Sequence, residues 1–181
     1  MEKLVAKAKE KDENAFSELI KLIDKELYLI ARTKLNNNED IGDAIQETIL
    51  KGYKNIKKLK NNSAFKSWMI KILINECNSI YRKKENTISY EEKEIEAYIS
   101  IEENNKDLEF EFLIKDLNNE EKLILTMFYY SKYTTKEIGK ILKIKENTVK
   151  SKILRAKEKL RKKVMKEGER IWKISIKYLM G

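Results

Sequence analysis

The chain has 181 residues, 39 Lys or Arg against 30 Asp or Glu, and a formal net charge of +9. It contains no His and one cysteine, Cys77, which excludes a His-based catalytic triad and an internal disulfide and leaves too few ligands for a structural zinc site. No apolar run of about 18 residues and no signal-peptide core is present, so we expect no transmembrane span and a cytoplasmic location. Nothing in the sequence calls for a cofactor.

The first third of the chain reads as helical. Apolar residues recur at helical spacing from 4 to 35 with a break near residues 11–14, which predicts two helices. Asp40 is the expected N-cap of a third helix over 41–53. Its apolar positions would face inward, whereas Asp43, Gln46 and Glu47 lie on the opposite side.

A polar stretch at 54–63 is predicted to be a loop, and a helix is predicted from 64 to 84. Lys58, Asn61, Asn62 and Ser63 make this loop rich in hydrogen-bond donors. Four aromatic residues lie beside it or on the helix, and they could either pack in the core or hold unstacked bases. Core packing is the better explanation for two of them, Phe65 and Trp68. The four are Tyr53, Phe65, Trp68 and Tyr81.

Charge is distributed in blocks along the second half. Residues 85–116 hold 11 Asp or Glu and 3 Lys, whereas residues 132–163 hold 13 Lys or Arg and 3 Glu. A codon bias can raise the total lysine content, but it does not separate charges into blocks. The sequence therefore predicts an acidic linker followed by a basic domain, in which helices begin near residue 108 and at the cap signal 118–121.

Residues 134–163 read as a helix-turn-helix. Thr134 and Glu137 form a predicted capping box, a turn is expected near 144–146, and the second helix carries an apolar stripe of period 3.6. The stripe consists of Val149, Ile153, Ala156 and Leu160. The residues pointing away from it are mostly basic or polar, as expected for a helix that enters the major groove. They are Lys150, Ser151, Leu154 and Arg155.

These motifs together resemble a known family. The first domain carries Asp40-x-x-Asp-x-x-Gln-Glu-Thr-x-Leu50, then Phe65-x-x-Trp-Met-x-x-Ile-x-x-Asn75 and Arg82-Lys-Lys; the last carries Asn147-Thr-Val-Lys-Ser-Lys-Ile-x-Arg-Ala-Lys157. The chain resembles sigma factors of bacterial RNA polymerase, of the short extracytoplasmic-function type or the related clostridial group that controls toxin and bacteriocin genes. It departs from the family pattern at Gly52, Ser79 and Phe128.

The resemblance implies an all-α fold of two small helical domains joined by a flexible acidic linker. The implied divisions are a domain at 1–84, a linker at 85–107, a helix-turn-helix domain at 108–163 and an amphipathic extension at 164–181. We expect that extension to be a helix packed on the second domain, with a partner-binding tail as the alternative.

The resemblance also implies roles for the singled-out residues. The partners would be core RNA polymerase, through its β′ coiled coil and β flap, promoter DNA, and an anti-sigma protein as a candidate regulator. The β′ coiled coil would dock on Asp40, Asp43, Gln46 and Glu47. The −10 element would contact Lys58, Asn61, Asn62, Ser63, Asn75, Arg82 and Lys83. The −35 element would contact Lys150, Ser151, Leu154 and Arg155.

Three other classes of function stay open at the level of sequence. The chain could be a stand-alone helix-turn-helix regulator, whose first domain would bind a ligand or dimerise. It could be a helical adaptor with no nucleic-acid role, in which case the acidic face at 40–50 is only a solvated helix face. An enzyme is the least favoured class, because the sequence contains no phosphate-binding loop and no metal cluster.

Overall fold

A computed structural model describes residues 1–85, 110 and 112–167. Within these ranges the chain is built from helices and turns and contains no strand. It divides into two compact units, Met1–Ala97 and Tyr98–Gly181. The prediction of an all-α fold with two helical domains is confirmed.

The described part of the first unit, residues 1–85, contains four α-helices: α1 (Glu2–Lys9), α2 (Glu13–Arg32), α3 (Asn38–Asn55) and α4 (Phe65–Glu85). Helix α3 packs on α4, α1 packs on α2, and α2 contacts both α3 and α4. The break between α1 and α2 falls where Lys11 adopts a left-handed backbone with φ of 72°. Asp12 then caps α2, because its carboxylate accepts a hydrogen bond of 2.9 Å from the backbone N–H of Ala15.

The core of the first unit consists mainly of apolar side chains from α2 and α4, packed around the buried rings of Phe16 and Phe65. Phe65 is fully buried and meets Phe16 edge-to-face, with ring centroids 6.5 Å apart. Burial of each such side chain contributes about 1.5–3 kcal/mol. Core packing is therefore the role of Phe65, as predicted, whereas Trp68 is half-buried. Other members are Leu19, Ile23, Leu27, Ile30, Met69, Ile70, Leu73, Ile74 and Cys77.

Gly52, one of the departures from the family pattern, has a packing explanation. A Cβ atom at this position would lie 2.6 Å from Sδ and 2.8 Å from Cε of Met69. Met69 is fully buried between the helices, so its thioether occupies the space that a larger residue at 52 would fill. The glycine therefore allows the close packing of α3 on α4.

The polar stretch predicted as a loop contains two short 3-10 turns, Ile56–Lys58 and Asn62–Ala64. Buried side chains of Ile56 and Leu59 anchor it to the unit. Helix α1 packs against both turns. The stretch is therefore anchored to the unit, and we call its residues 57–63, between α3 and α4, the ledge.

In the second unit, residue 110 and residues 112–114 are helical, followed by α5 (Asn119–Leu125), a π-helical turn (Thr126–Tyr130), α6 (Thr135–Leu142) and α7 (Glu146–Glu167). Both predicted cap signals are confirmed, with capping boxes formed by Asn118 and Glu121 and by Thr134 and Glu137. The helix expected to begin near residue 108 ends at residue 114, and the chain turns and bends at residues 115–117. The π-helical turn was not predicted from the sequence.

Most of the predicted acidic linker, and residues 168–181 of the predicted C-terminal extension, lie outside the described residues. The limits proposed for the domains from sequence therefore stay predictions. None of the described helices is both long and apolar enough to cross a membrane.

Candidate functional site

The helix-turn-helix is held by a close backbone contact at its turn. Helix α6 ends at Leu142 and its C-cap, Lys143, has a left-handed φ of 58°. The backbone N–H of Ile144 donates to the carbonyl of Gly139 at 3.0 Å. A Cβ atom at position 139 would lie 2.8 Å from the carbonyl oxygen of Ile144. Position 139 therefore requires glycine if the chain is to turn back closely on α6.

Helix α7 has one buried and one exposed face, as its periodicity predicts. Val149, Ile153, Ala156 and Leu160 are buried, and the helix packs on α5 and α6. On the other side, Lys150, Ser151, Leu154 and Arg155 are all exposed, and 60% of the Leu154 side chain is accessible. An exposed leucine between cations has no role in this unit's core. The four residues form a continuous patch that we call the α7 outer face.

The positive charge of α7 is divided between its sides. Lys152 pairs with Glu120 at 2.5 Å and Lys159 with Glu121 at 2.6 Å. Lys163 pairs with Asp116, and this contact lowers the pKa of that carboxyl group. These three lysines fasten α7 to the preceding elements, whereas the cations of the α7 outer face point away from that acidic side.

Lys150 itself has an intrachain partner. Its ammonium lies 2.9 Å from Oε1 of Glu146, which also accepts a hydrogen bond of 2.8 Å from Oγ1 of Thr135. The contact with Lys150, followed by that with Thr135, lowers the pKa of Glu146. Glu146 therefore stays ionised at neutral pH and joins the start of α7 to α6.

A second basic surface, missed by the sequence analysis, surrounds the turn of the helix-turn-helix. Four exposed lysines border a shallow hollow beside Gly139 and Ile144. They come from α6 and from the turn, so periodicity within α7 could not identify them; the block of positive charge at 132–163 was the only signal. They are Lys136, Lys140, Lys143 and Lys145.

In the first unit, the ledge at 57–63 presents most of its polar side chains to solvent. Lys58, Asn61 and Ser63 are exposed, whereas Asn62 is half-buried and its Oδ1 accepts a hydrogen bond of 2.5 Å from Nζ of Lys9. Oδ1 of Asn61 accepts from both the backbone N–H and the hydroxyl of Ser63, at 3.0 and 2.9 Å. The carbonyl ends of both amides are thus engaged within the protein.

The three remaining predicted −10 residues lie on two sides of α4. Asn75 and Arg82 line one exposed hollow together with Asn78 and Tyr81. Lys83 instead lines the groove between α3 and α4. The structure therefore separates Lys83 from the other −10 candidates. It also adds Asn78 and Tyr81, of which only Tyr81 was considered from the sequence.

The groove between α3 and α4 gathers the predicted polymerase-binding residues Asp43, Gln46 and Glu47, all exposed. Lys51 crosses it and pairs with Glu76 at 2.6 Å and Glu47 at 3.2 Å, and these contacts raise the pKa of Lys51. The other lining residues include an exposed leucine and one of the positions that depart from the family pattern. They are Leu50, Ser79, Ile80 and Lys83.

The sequence predicts that Asp40 is the N-cap of α3 and that it belongs to this exposed face. The structure contradicts both predictions. Asn37 is the N-cap of α3, because its Oδ1 accepts from the backbone N–H of Asp40 at 2.8 Å. The Asp40 carboxylate accepts from Nδ2 of Asn37 at 2.7 Å and pairs with Lys84 at 2.6 Å. Only 14% of its side chain is exposed, and its ion pair with Lys84 links the start of α3 to the end of α4.

Two sequence families match separate parts of the chain. Sigma-70 region 2 matches residues 19–87, and Sigma-70 region 4 matches residues 113–162. The first match contains the ledge, the groove and the hollow on α4. The second contains the whole helix-turn-helix.

Relatives extend over most of the chain. The RNA polymerase sigma factor SigV of Bacillus subtilis is 27% identical over 143 residues, which are 78% of this chain and 86% of SigV. The sigma factor SigW of Bacillus subtilis, of the extracytoplasmic-function (ECF) group, is 25% identical over 184 residues, 91% of this chain and 96% of SigW.

Solved structures share the fold. CnrH in complex with the cytosolic domain of CnrY covers 92% of this chain and 98% of its own, with a TM-score of 0.67 and 18% identity. The sigma factor RpoE of Bartonella quintana, solved with the anti-sigma factor NepR, covers 81% and 94% with a TM-score of 0.64 and 21% identity. The matching regions, relatives and fold agree: this chain belongs to the sigma-70 family as an RNA polymerase sigma factor of the extracytoplasmic-function group.

Proposed function

We propose that this sigma factor, a non-enzymatic initiation factor, binds core RNA polymerase and recognises a −35 and a −10 promoter element through separate sites in its two units. The observation that carries the proposal is the α7 outer face: two cations, a hydroxyl and a 60% exposed leucine on a helix whose opposite side is buried from Val149 to Leu160 against α5 and α6. The protein would work in the cytoplasm, where polymerase and promoter DNA are found.

The α7 outer face suits the major groove. Arg155 and Lys150 can donate to guanine, the Ser151 hydroxyl can donate or accept, and Leu154 can contact a thymine methyl group. The lysines around the turn, Lys136, Lys140, Lys143 and Lys145, would contact backbone phosphates and hold the helix in register. Their contribution to affinity would be independent of sequence and would fall steeply with salt.

The ledge and the hollow on α4 suit the −10 element. Lys58, Asn61, Asn62 and Ser63 offer polar contacts for a base removed from the duplex, and Asn75 and Arg82 with Asn78 and Tyr81 offer contacts to the adjoining strand. Capture of an unstacked base on such a surface would favour the melted state without ATP, because binding energy offsets the cost of unstacking.

The groove between α3 and α4 is the proposed docking surface for the β′ coiled coil of polymerase. Asp43, Gln46 and Glu47 supply acceptors for a basic partner helix, and Leu50 supplies apolar contact beside them. The Asp40 contribution in this proposal is indirect, through its contact with Lys84. The β flap would bind the second unit, and an anti-sigma protein would compete for these surfaces; RpoE was solved bound to such a protein, NepR.

Charge reversal tests the docking surface. In a pull-down of core polymerase, Asp43→Lys with Glu47→Lys should weaken capture by at least about tenfold, since like charges across an interface cost several kcal/mol. Glu18→Lys with Asp24→Lys makes the same change in net charge at exposed positions of α2 outside the groove and should leave capture unchanged. Equal loss in both variants would contradict the proposed surface.

A further inference from the structure

The groove between α3 and α4 holds one cation between two carboxylates. The ammonium of Lys51 lies 2.6 Å from Oε2 of Glu76, on α4, and 3.2 Å from Oε1 of Glu47, one turn earlier on α3. Glu47 belongs to the proposed docking surface for polymerase, whereas Glu76 has no part in the functions assigned above. Lys51 therefore connects a docking residue to a carboxylate outside the docking set.

The two contacts of Lys51 differ in strength and in exposure. The shorter one, to Glu76, is also a hydrogen bond and is the largest cause of the raised pKa of Lys51, ahead of the contact with Glu47. The side chain of Glu76 is 15% exposed and that of Glu47 is 49% exposed. Because water screens the exposed pair more strongly, Lys51 is held mainly by Glu76, and the Glu47 carboxylate stays open to solvent.

Loss of the Glu76 charge would change this division. Lys51 and Glu47 are four residues apart on one helix, a spacing at which oppositely charged side chains pair. Without a carboxylate at position 76, the ammonium would be left to Glu47 alone. Of the two carboxylates in the proposed docking surface, Asp43 and Glu47, one would then be neutralised by a cation of the same chain.

We propose that Glu76 is a positioning residue for polymerase docking: it holds the Lys51 ammonium on the α4 side of the groove, so that Glu47 keeps its charge for the basic partner helix. Glu76 acts through Lys51 and does not itself contact polymerase. On docking, Glu47 exchanges Lys51 for a cation of the partner, and Lys51 keeps Glu76 as its counter-ion. This inference rests on the proposed docking role of the groove.

The test measures the affinity of the full chain for core polymerase, in competition with a labelled wild-type chain. Glu76→Gln removes the charge with little change in shape, and a neutral carboxamide holds an ammonium more weakly than a carboxylate does. We expect the affinity to fall about two- to fivefold, the effect of one exposed ion pair that now forms within the chain.

Two double variants separate the position of Lys51 from net charge. Lys51→Met added to Glu76→Gln should restore the affinity to within about twofold of wild type, because no cation is left on Glu47. Lys83→Met added to Glu76→Gln makes the same change in net charge in the same groove. It should not restore the affinity, since Lys51 still neutralises Glu47. Circular dichroism melting checks that all variants fold.

Three results would overturn the inference. Unchanged affinity in Glu76→Gln would show that the carboxylate does not act on docking. Failure of Lys51→Met to restore the affinity would indicate that Glu76 contacts polymerase directly. Equal restoration by Lys83→Met would assign the effect to net charge.

Each of these results leaves the proposed function intact, provided that Asp43→Lys with Glu47→Lys weakens the capture of polymerase. If those two substitutions have no effect, the proposed docking surface is wrong, and the role of Glu76 is contradicted with it.

Discussion

Lys150 and Glu146 form an ion pair of 2.9 Å across one turn of α7, at the point where the α7 outer face begins. The cation assigned to DNA recognition is therefore held by a carboxylate of its own helix. In the proposed complex with DNA, Glu146 would compete with phosphates for the Lys150 ammonium and would place a negative charge near the DNA. The pair would therefore oppose binding to DNA and limit affinity for unrelated sequences.

Removing the charge of Glu146 should therefore strengthen upstream binding. Glu146→Gln keeps an oxygen that can accept the hydrogen bond from Thr135, and we expect the polymerase complex to bind a −35 duplex about two- to fivefold more tightly at low salt. Glu158→Gln removes one carboxylate from an exposed position farther along α7 and serves as the control. Equal gains in both variants would show that only net charge matters.

The lysines of α7 should differ in function according to their partners. Lys150→Ala with Arg155→Ala should weaken binding to the −35 element. The slope of log K against the logarithm of salt concentration should become less steep by about one for each phosphate that is no longer neutralised. Lys152→Ala with Lys159→Ala removes the same charge from the side paired with Glu120 and Glu121. These two substitutions should leave sequence preference intact. Loss of preference in this second variant would contradict the division of α7 into two sides.

Two glycines should respond in opposite ways to alanine. Gly139→Ala forces a Cβ against the carbonyl oxygen of Ile144, which belongs to the backbone and cannot turn aside, so the second unit should lose about 1–3 kcal/mol. Gly42→Ala meets nothing within 4 Å on an exposed face of α3 and should stabilise the first unit by up to about 1 kcal/mol. Urea unfolding combined with hydrogen exchange of α6 and α3 measures both. Stabilisation by Gly139→Ala would contradict the close turn.

The capping box of α6 should make that helix sensitive to acid. Hydrogen bonds from the backbone N–H and hydroxyl of Thr134 lower the pKa of Glu137. A carboxyl whose folded pKa is depressed stabilises above its unfolded pKa, near 4.5, and this contribution is lost as pH falls through the lower folded value.

Hydrogen exchange of the α6 amides should therefore accelerate below about pH 4.5, after correction for intrinsic exchange. Glu137→Gln retains a capping side chain without the titration and should flatten that dependence. An unchanged pH dependence in the variant would assign the acid sensitivity to other groups.

Periodic patterns in the sequence were sufficient for the longer α-helices and for the two sides of α7. The buried stripe from Val149 to Leu160 and the exposed Lys150 and Arg155 follow from helix phase alone. Both capping boxes were visible as short polar signals before apolar runs. These features are local, so a single sequence contains them.

The features that the sequence did not predict depend on pairings between distant residues. Asp40 is mostly shielded from solvent because Lys84, far along the chain, pairs with it. Lys83 lines the groove with Glu47, whereas Arg82 lines the hollow on another side of α4. Consecutive residues of a helix point about 100° apart, and α3 packs on the side of Lys83. The bond from Lys9 to Asn62 depends on α1 folding back on the ledge. No pattern in the sequence specifies these partners.

Selection from a randomised promoter library tests most directly whether two separate sites of this chain read two promoter elements. Reconstituted core polymerase with the wild-type chain should yield transcribed promoters with two conserved blocks at a fixed spacing. Lys150→Ala with Arg155→Ala should erase only the upstream block, and Asn61→Ala with Ser63→Ala should relax only the downstream one. A single conserved block, or the same block erased by both variants, would contradict the assignment of two sites.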